Sequence, residues 1–130
     1  MINVGSSHAV GGFPAALEAL RALAPVALYG EGFWRRPPSE SFLAALGGAT
    51  IDELSDLDGL RAAIRDVGFD ILHESFASEE DWAGYEDTLA ATAERHGTPD
   101  TLAYARRIRH RRAQTNGTET LGFALLVLRA

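Results

Sequence analysis

The sequence contains no cysteine. Disulfides, thiolate nucleophiles and cysteine-based zinc sites are excluded together. Lysine is absent as well: all 12 basic residues are arginine, and methionine occurs only at position 1. With Ala, Gly and Arg abundant, this reads as a base-composition bias of the source genome rather than as chemistry. The longest apolar run, residues 121–128, falls far short of the ~20 residues a membrane-spanning helix needs. The opening MINVGSSHAVGG has neither the basic start nor the apolar stretch of a secretory signal, so a cytoplasmic location without membrane contact is expected. A formal net charge of −6 argues against broad nucleic-acid binding, which needs a basic face. There is no GxGxxG after a strand, no Walker loop, no HExxH and no GxSxG. His8, His73, His96 and His110 show no metal-ligand spacing, so no metal site is expected.

What is present is one globular domain. The 130 residues are 46% hydrophobic, enough for a core of their own. Residues 1–4 read as a short strand ending at Gly5, like the tail of a strand whose beginning is missing. Gly11, Gly12 and Pro14 mark a loop and a helix start. Leu17, Leu20 and Ala24 then recur at helical spacing until Pro25. Residues 26–29 suit a buried strand, broken by Gly30-Glu31-Gly32. Two prolines keep Phe33-Trp34-Arg35-Arg36-Pro37-Pro38 from being helical. Ser39 caps a short helix that Gly47-Gly48 stop. Leu57, Leu60, Ile64 and Val67 share one helix face before Gly68, and residues 69–77 read as a strand. Ser78 followed by Glu79, Glu80 and Asp81 opens a helix whose inner face is Trp82, Tyr85 or Glu86, Leu89 and Ala93. Gly97 ends it. Thr98-Pro99-Asp100 opens another, carrying Leu102, Ala105 and Ile108 and ended by Asn116-Gly117. Residues 121–128 are apolar at odd and even positions and predict a strand buried on both faces. The order β-α-β-α-α-β-α-α-β is that of an α/β fold with a mostly parallel sheet.

Two segments stand where chemistry belongs in such folds, at the carboxyl ends of strands. In Gly5-Ser6-Ser7-His8-Ala9-Val10-Gly11-Gly12, small residues let a ligand approach the backbone, the following helix start favours anions, and His8 can serve as a base or orient a substrate. The plainer alternative is a tight turn with a surface histidine. In the second segment, Tyr29-Gly30-Glu31-Gly32-Phe33-Trp34-Arg35-Arg36-Pro37-Pro38, Glu31 can accept hydrogen bonds or a proton. Phe33 and Trp34 can wall an apolar pocket, and Arg35 can hold a carboxylate; the alternative is core aromatics and solvated arginines. Trp82 and Tyr85 read first as helix core and second as pocket lining. The run Arg106-Arg107-Ile108-Arg109-His110-Arg111-Arg112 reads as a solvated helix face, with phosphate contact as the alternative.

These two segments, with the helix between them, resemble the middle of bacterial class I S-adenosylmethionine-dependent methyltransferases. The resemblance covers nearly the whole chain but only the C-terminal half of that Rossmann-like fold. It implies a four-stranded mixed sheet in family order 4-5-7-6 with flanking helices. Residues 57–67 correspond to the last main helix, 69–77 to the sixth strand and 121–128 to the antiparallel seventh. The two helices between Ser78 and Thr115 correspond to a substrate-side insertion. The glycine-rich cofactor loop and its ribose-binding acid would precede Met1. Two positions depart from the family: Pro25 runs straight into Val26 where Pro-Gly-Gly is usual, and Val10 replaces an aromatic.

The resemblance further implies S-adenosylmethionine as cofactor, with Gly5, Ser6 and Ser7 near its methionine portion. His8 and Glu31 would orient or deprotonate a small-molecule acceptor, and Phe33, Trp34, Arg35, Trp82 and Tyr85 would shape its pocket. Residues 1–130 then form a single methyltransferase-like domain lacking the N-terminal cofactor-binding half and inactive alone. A bare strand edge at residues 1–4 implies a homo-oligomer or pairing with a separate N-terminal half. The alternative is a non-catalytic binding or assembly module derived from a truncated methyltransferase.

Overall fold

A computed structural model of the chain describes residues 1–114 and 117–130. The elements are β1 (Ile2–Val4), α1 (Phe13–Leu23), β2 (Val26–Trp34), α2 (Glu40–Ala45), α3 (Leu57–Asp66), β3 (Asp70–Phe76), α4 (Glu79–His96), α5 (Pro99–Gln114), α6 (Gly117–Thr120) and β4 (Leu121–Arg129). Short 3-10 turns occupy Ser7–Val10 and Ile51–Glu53. Side chains set most helix starts. Ser39 Oγ accepts the Phe42 N–H at 3.2 Å, Asp56 Oδ1 accepts the Gly59 N–H at 2.7 Å, and Ser78 and Asp81 cap each other's backbone at the head of α4. Gly68 and Gly97 follow α3 and α4 at φ +88° and +67°, a conformation that ends a helix without a Cβ clash. α5 runs through Gln114; its expected stop at Asn116-Gly117 begins outside the described residues, as does Thr115.

The sheet order is β1-β2-β4-β3. β1 and β2 are parallel, and β4 inserts antiparallel between β2 and β3. This is the expected mixed sheet, with family strands 4-5-7-6 in place. A β-bulge shifts the β3–β4 register between Ile71 and His73.

Three sequence expectations need correction. The sheet is not mostly parallel: β1–β2 is a parallel pairing, but β4 inserts between β2 and β3 and makes two antiparallel ones. The strand expected at 26–29 does not break at Gly30-Glu31-Gly32; β2 continues to Trp34. The glycines sit where neighbouring side chains lean onto the strand. A Cβ at Gly30 would lie 2.9 Å from Val4 Cγ1 and 3.0 Å from Leu125 Cδ2, and one at Gly32 would lie 3.1 Å from Leu54 Cδ1. Glycine here permits close packing rather than a turn. β4, in turn, is not buried on both faces. Gly122, Ala124, Leu126 and Leu128 are buried, whereas Leu125 on the opposite face is 37% exposed.

The asymmetry follows from the helices. α1 brings Leu17 and Leu20, and α3 brings Leu60 and Ile64, into one core with Ala27, Tyr29, Phe33, Ala124, Leu126 and Leu128. Each fully buried large side chain in it contributes ~1.5–3 kcal/mol relative to exposure. Both helices thus lie on one face of the sheet. The other face meets α4 at the edge-to-face contact of Trp82 with Phe123, while Ile2, Val4, Val26 and Leu125 stay exposed, Ile2 at 73%.

α4 and α5 form a hairpin with a small core of their own, Ala90, Ala93, Ala105 and Ile108, with Leu89 against it. The alanines let the helices approach closely. Acids of α4 meet arginines of α5: Glu94 with Arg109 at 2.7 Å, Glu86 with Arg111 and Asp87 with Arg112. The inner position left open between Tyr85 and Glu86 goes to Glu86; Tyr85 is 59% exposed. Among the described residues, no helix is long and apolar enough to cross a membrane.

Candidate functional site

β1 ends at Val4, and Gly5 turns the chain at φ +62° with its N–H bonded to Gly30 O at 2.9 Å. The 3-10 turn from Ser7 to Val10 then tucks Ser7 under the sheet's carboxyl end before α1 begins. Ser7 is 4% exposed, and Glu31, which β2 presents beside it, is 7% exposed. A buried carboxylate must be compensated, and here three donors do so. The Ser7 hydroxyl donates to Glu31 Oε2. The Tyr29 hydroxyl donates to the same oxygen at 2.8 Å, and the Gly32 N–H reaches Oε1 at 3.1 Å. Ser7 Oγ and Tyr29 OH are themselves 3.1 Å apart. Burial pushes the Tyr29 phenol well above the usual tyrosine range; the Ser7 hydrogen bond opposes this, and the Glu31 charge adds to it.

Beside this cluster lies a cavity of about 710 Å³. Ser7, His8, Gly11, Gly12, Phe13 and Pro14 line one side of it, and Glu31, Trp34 and Leu121 line the floor. The segment after α2 closes the far wall with Leu46, Ala49, Thr50, Asp52, Glu53 and Leu54. That segment is clamped to the end of β2. The Trp34 indole N–H donates to Ile51 O at 2.8 Å, and the Trp34 backbone N–H donates to Ser55 O at 2.8 Å. Thr50 and Glu53 cap each other around the 3-10 turn, with the Thr50 N–H on Glu53 Oε1 at 2.9 Å.

The structure thus brings together four of the residues singled out from sequence: Ser7, His8, Glu31 and Trp34. The others stand elsewhere. Phe33 is a core residue, edge-on to Phe76 at 6.0 Å. Arg35 lies over the Phe33 ring at 5.9 Å. Ser6 donates to Asn3 Oδ1 at 3.1 Å. Gly5 faces the Phe123 ring, 3.9 Å from where its Cβ would be. Trp82 packs on that same ring and on Tyr85, so Gly5, Phe123, Trp82 and Tyr85 form a second, aromatic grouping on the sheet face away from α1 and α3. Among the described residues, the buried Trp82 indole N–H has no hydrogen-bond partner. The basic run of α5 is not simply the solvated face expected: Arg109, Arg111 and Arg112 hold ion pairs with α4. Among the described residues, no group of His, Asp and Glu could hold a metal ion.

Sequence reasoning missed Tyr29, Asp52, Glu53 and Phe123. The wall at 50–53 did carry a signal: Thr50-Ile51-Asp52-Glu53 has the spacing of a capping box. Tyr29 opened the second segment, but its sequence context gave it no role of its own.

No family model matches the chain. It is 36% identical over 87 residues to the uncharacterized protein YjhP of Escherichia coli (strain K12), a stretch that is 64% of this chain and 35% of that protein. The crystal structure of YjhP aligns with 99% of this chain at a TM-score of 0.82 and 28% identity, over 57% of its own length. A SAM-dependent methyltransferase from Thiobacillus denitrificans, solved with S-adenosyl-L-homocysteine, aligns with 99% of this chain at a TM-score of 0.79 and 28% identity, over 56% of its length. One from Geobacter sulfurreducens shares the fold at a TM-score of 0.79 and 24% identity, over 55% of its length. The chain therefore spans little more than half the length of the solved structures it matches, YjhP included, and the stretch aligned by sequence is about a third of YjhP. With its strand order and these alignments together, the chain carries part of the class I methyltransferase fold.

Proposed function

We propose that this chain supplies the acceptor pocket and the methionine end of the donor site of an S-adenosylmethionine-dependent methyltransferase acting on a small molecule. The observation that carries this reading is the meeting of Ser7, His8, Glu31 and Trp34 around one cavity at the carboxyl ends of β1 and β2. That is where open α/β sheets hold ligands.

The residues at the end of β1 fit the donor's methionine portion. Gly5 has no neighbour closer than 3.9 Å to where a Cβ would stand, so its backbone is approachable, and Ser6 beside it is only half-buried. When bound, S-adenosylmethionine supplies an electrophilic sulfonium methyl group. The chain's residues position the acceptor against it, since methyl transfer by direct displacement is chiefly a matter of alignment. Trp34 and Leu54 pack the acceptor's apolar body. His8, at the cavity's edge, accepts the proton that the acceptor releases. Glu31 fixes the acceptor's polar end. Ser7 is committed to Glu31, so it is a positioning residue rather than a donor contact. Trp82 and Tyr85, beside Phe123, flank Gly5 from the other sheet face.

The adenosine end of the donor falls to the part of the fold that the solved relatives have in addition. The same part, or a second copy, covers the free edge of β1 and the exposed apolar face of Ile2, Val4, Val26 and Leu125, because bare edges and apolar faces invite pairing. A cytoplasmic location goes with this reading. Calorimetric titration with S-adenosylhomocysteine tests it: saturable heat is expected, and none up to millimolar ligand overturns it. Size-exclusion chromatography with light scattering tests the pairing: an assembly is expected, and a clean monomer refutes it.

A further inference from the structure

The charge lining the cavity goes further than its position in the fold. Its titratable lining is Glu31, Asp52, Glu53 and His8. Three acidic residues thus line one space, Glu31 with both oxygens bonded within the fold and Glu53 with one oxygen on the Thr50 N–H, and among the described residues no arginine lines it. Glu31 is the buried one, held by three donors. Asp52 and Glu53 are exposed on the opposite wall. The rest of the lining is largely apolar: Phe13 and Trp34 face Leu46, Leu54 and Leu121.

We infer that the molecule this pocket takes is an organic cation: a basic nitrogen joined to an apolar or aromatic body. The inference rests on the methyltransferase reading in so far as that molecule is the methyl acceptor. Carboxylates set around an apolar wall attract an ammonium group and repel a carboxylate or phosphate ligand, and repulsion of the wrong charge is what makes such a site selective. Glu31, the buried one of the three, is the least screened by water. The apolar lining accommodates a ring or a short alkyl chain. The basic nitrogen is the anchor at the acidic side. The three carboxylates also explain why the segment after α2 is fixed so firmly: the 3-10 turn, the Thr50–Glu53 cap and the Trp34 clamp hold Asp52 and Glu53 across from Glu31.

Three probes of similar size and different charge test this: 2-phenylethylamine, 2-phenylethanol and 3-phenylpropionate. Each is titrated into the isotope-labelled chain while the Trp34 indole and the amides of 50–54 are followed by NMR. The amine is expected to bind ~10-fold or more tightly than the carboxylate, with the alcohol between them. Asp52→Asn is expected to narrow the gap between amine and carboxylate severalfold. Glu31→Gln should narrow it too, and Asp52→Asn serves where Glu31→Gln fails to fold. Equal or tighter binding of the carboxylate overturns the inference, as does the absence of any shift at the lining signals with all three probes. Parallel titration with S-adenosylhomocysteine separates the two readings. If it perturbs Gly5 and Ser6 while the amine shows no preference, the cation inference alone fails. If the amine binds selectively and S-adenosylhomocysteine does not bind, the methyltransferase reading fails and the cation site stands.

Discussion

Replacing Tyr29 by phenylalanine keeps the ring in the core and deletes a single hydroxyl. That hydroxyl donates to Glu31 Oε2 at 2.8 Å, inside a cluster in which Tyr29 is wholly buried and Glu31 nearly so. A hydrogen bond to a charged acceptor contributes ~1.5–3 kcal/mol net, more than a neutral pair, because the group it leaves unsatisfied has no water to turn to. Ser7 and Gly32 still hold the carboxylate, so the expected loss is toward the middle of that range, ~2 kcal/mol. In urea this lowers the unfolding midpoint by ~1 M, taking a slope of ~2 kcal/mol per molar for a domain of this size. The partner variant Glu31→Gln replaces the charge-assisted bonds by neutral ones. Combined with Tyr29→Phe it should cost less than the sum of the two, with a coupling of ~1 kcal/mol or more, as for any pair sharing a proton. A Tyr29→Phe protein within ~0.5 kcal/mol of the parent, or two variants whose effects add, would show that the cluster does not hold the carboxylate as described.

Other outcomes follow from the same contacts. A Cβ at Gly122 would collide with Phe33 Cζ and lie 2.8 Å from Arg35 Nε; Phe33 is a core residue edge-on to Phe76, so Gly122→Ala should destabilise by ~1–3 kcal/mol in chemical denaturation. Tyr29 keeps its proton above pH 10.0, its ordinary value, when folded. Its contribution is therefore full below pH ~10 and declines as pH rises beyond that, because the unfolded chain loses a proton that the folded chain retains. Absorbance titration of the folded chain should show Tyr29 ionising above the ordinary tyrosine range. On the acid side, the Arg61 guanidinium, 2.6 and 2.8 Å from the two oxygens of Glu74, holds that carboxyl below its usual range. The pair's stabilisation is present above the ordinary value of 4.5 and is lost as pH falls through the depressed folded-state value. Arg61→Ala should cost ~1 kcal/mol at neutral pH and flatten the acid limb of the stability profile.

The fold was legible wherever a local rule coincided with the tertiary outcome. The caps at Ser39 and Ser78, the αL glycines 68 and 97, and the helix face of Leu57, Leu60 and Ile64 all depend on residues within one or two turns. Gly30 and Gly32 misled because their role is non-local. They make room for Val4, Leu125 and Leu54, which no window along β2 contains. β4 misled for a related reason: its composition suits burial on both faces, but α1 and α3 both settle on one. At the site, strand ends pointed to His8, Glu31 and Trp34, since position in an α/β fold is itself a signal. Alternation along β2 puts Phe33 in the core on the face of Tyr29 and Glu31, and Trp34 on the other face; that Glu31 and Trp34 nonetheless share one cavity at the strand's end is a tertiary outcome that no strand pattern shows. Tyr29 and the acidic wall at 52–53 become visible only when the segment after α2 folds back onto β2.

The central claim, that the end of β1 meets the methionine portion of a methyl donor, is tested most directly by residue-resolved NMR of the chain titrated with S-adenosylhomocysteine. Saturable shifts at Gly5, Ser6 and Ser7 that leave the α4–α5 hairpin core at Ala90 and Ile108 unmoved are predicted. No shift at saturating ligand, or shifts confined to that hairpin, would contradict it.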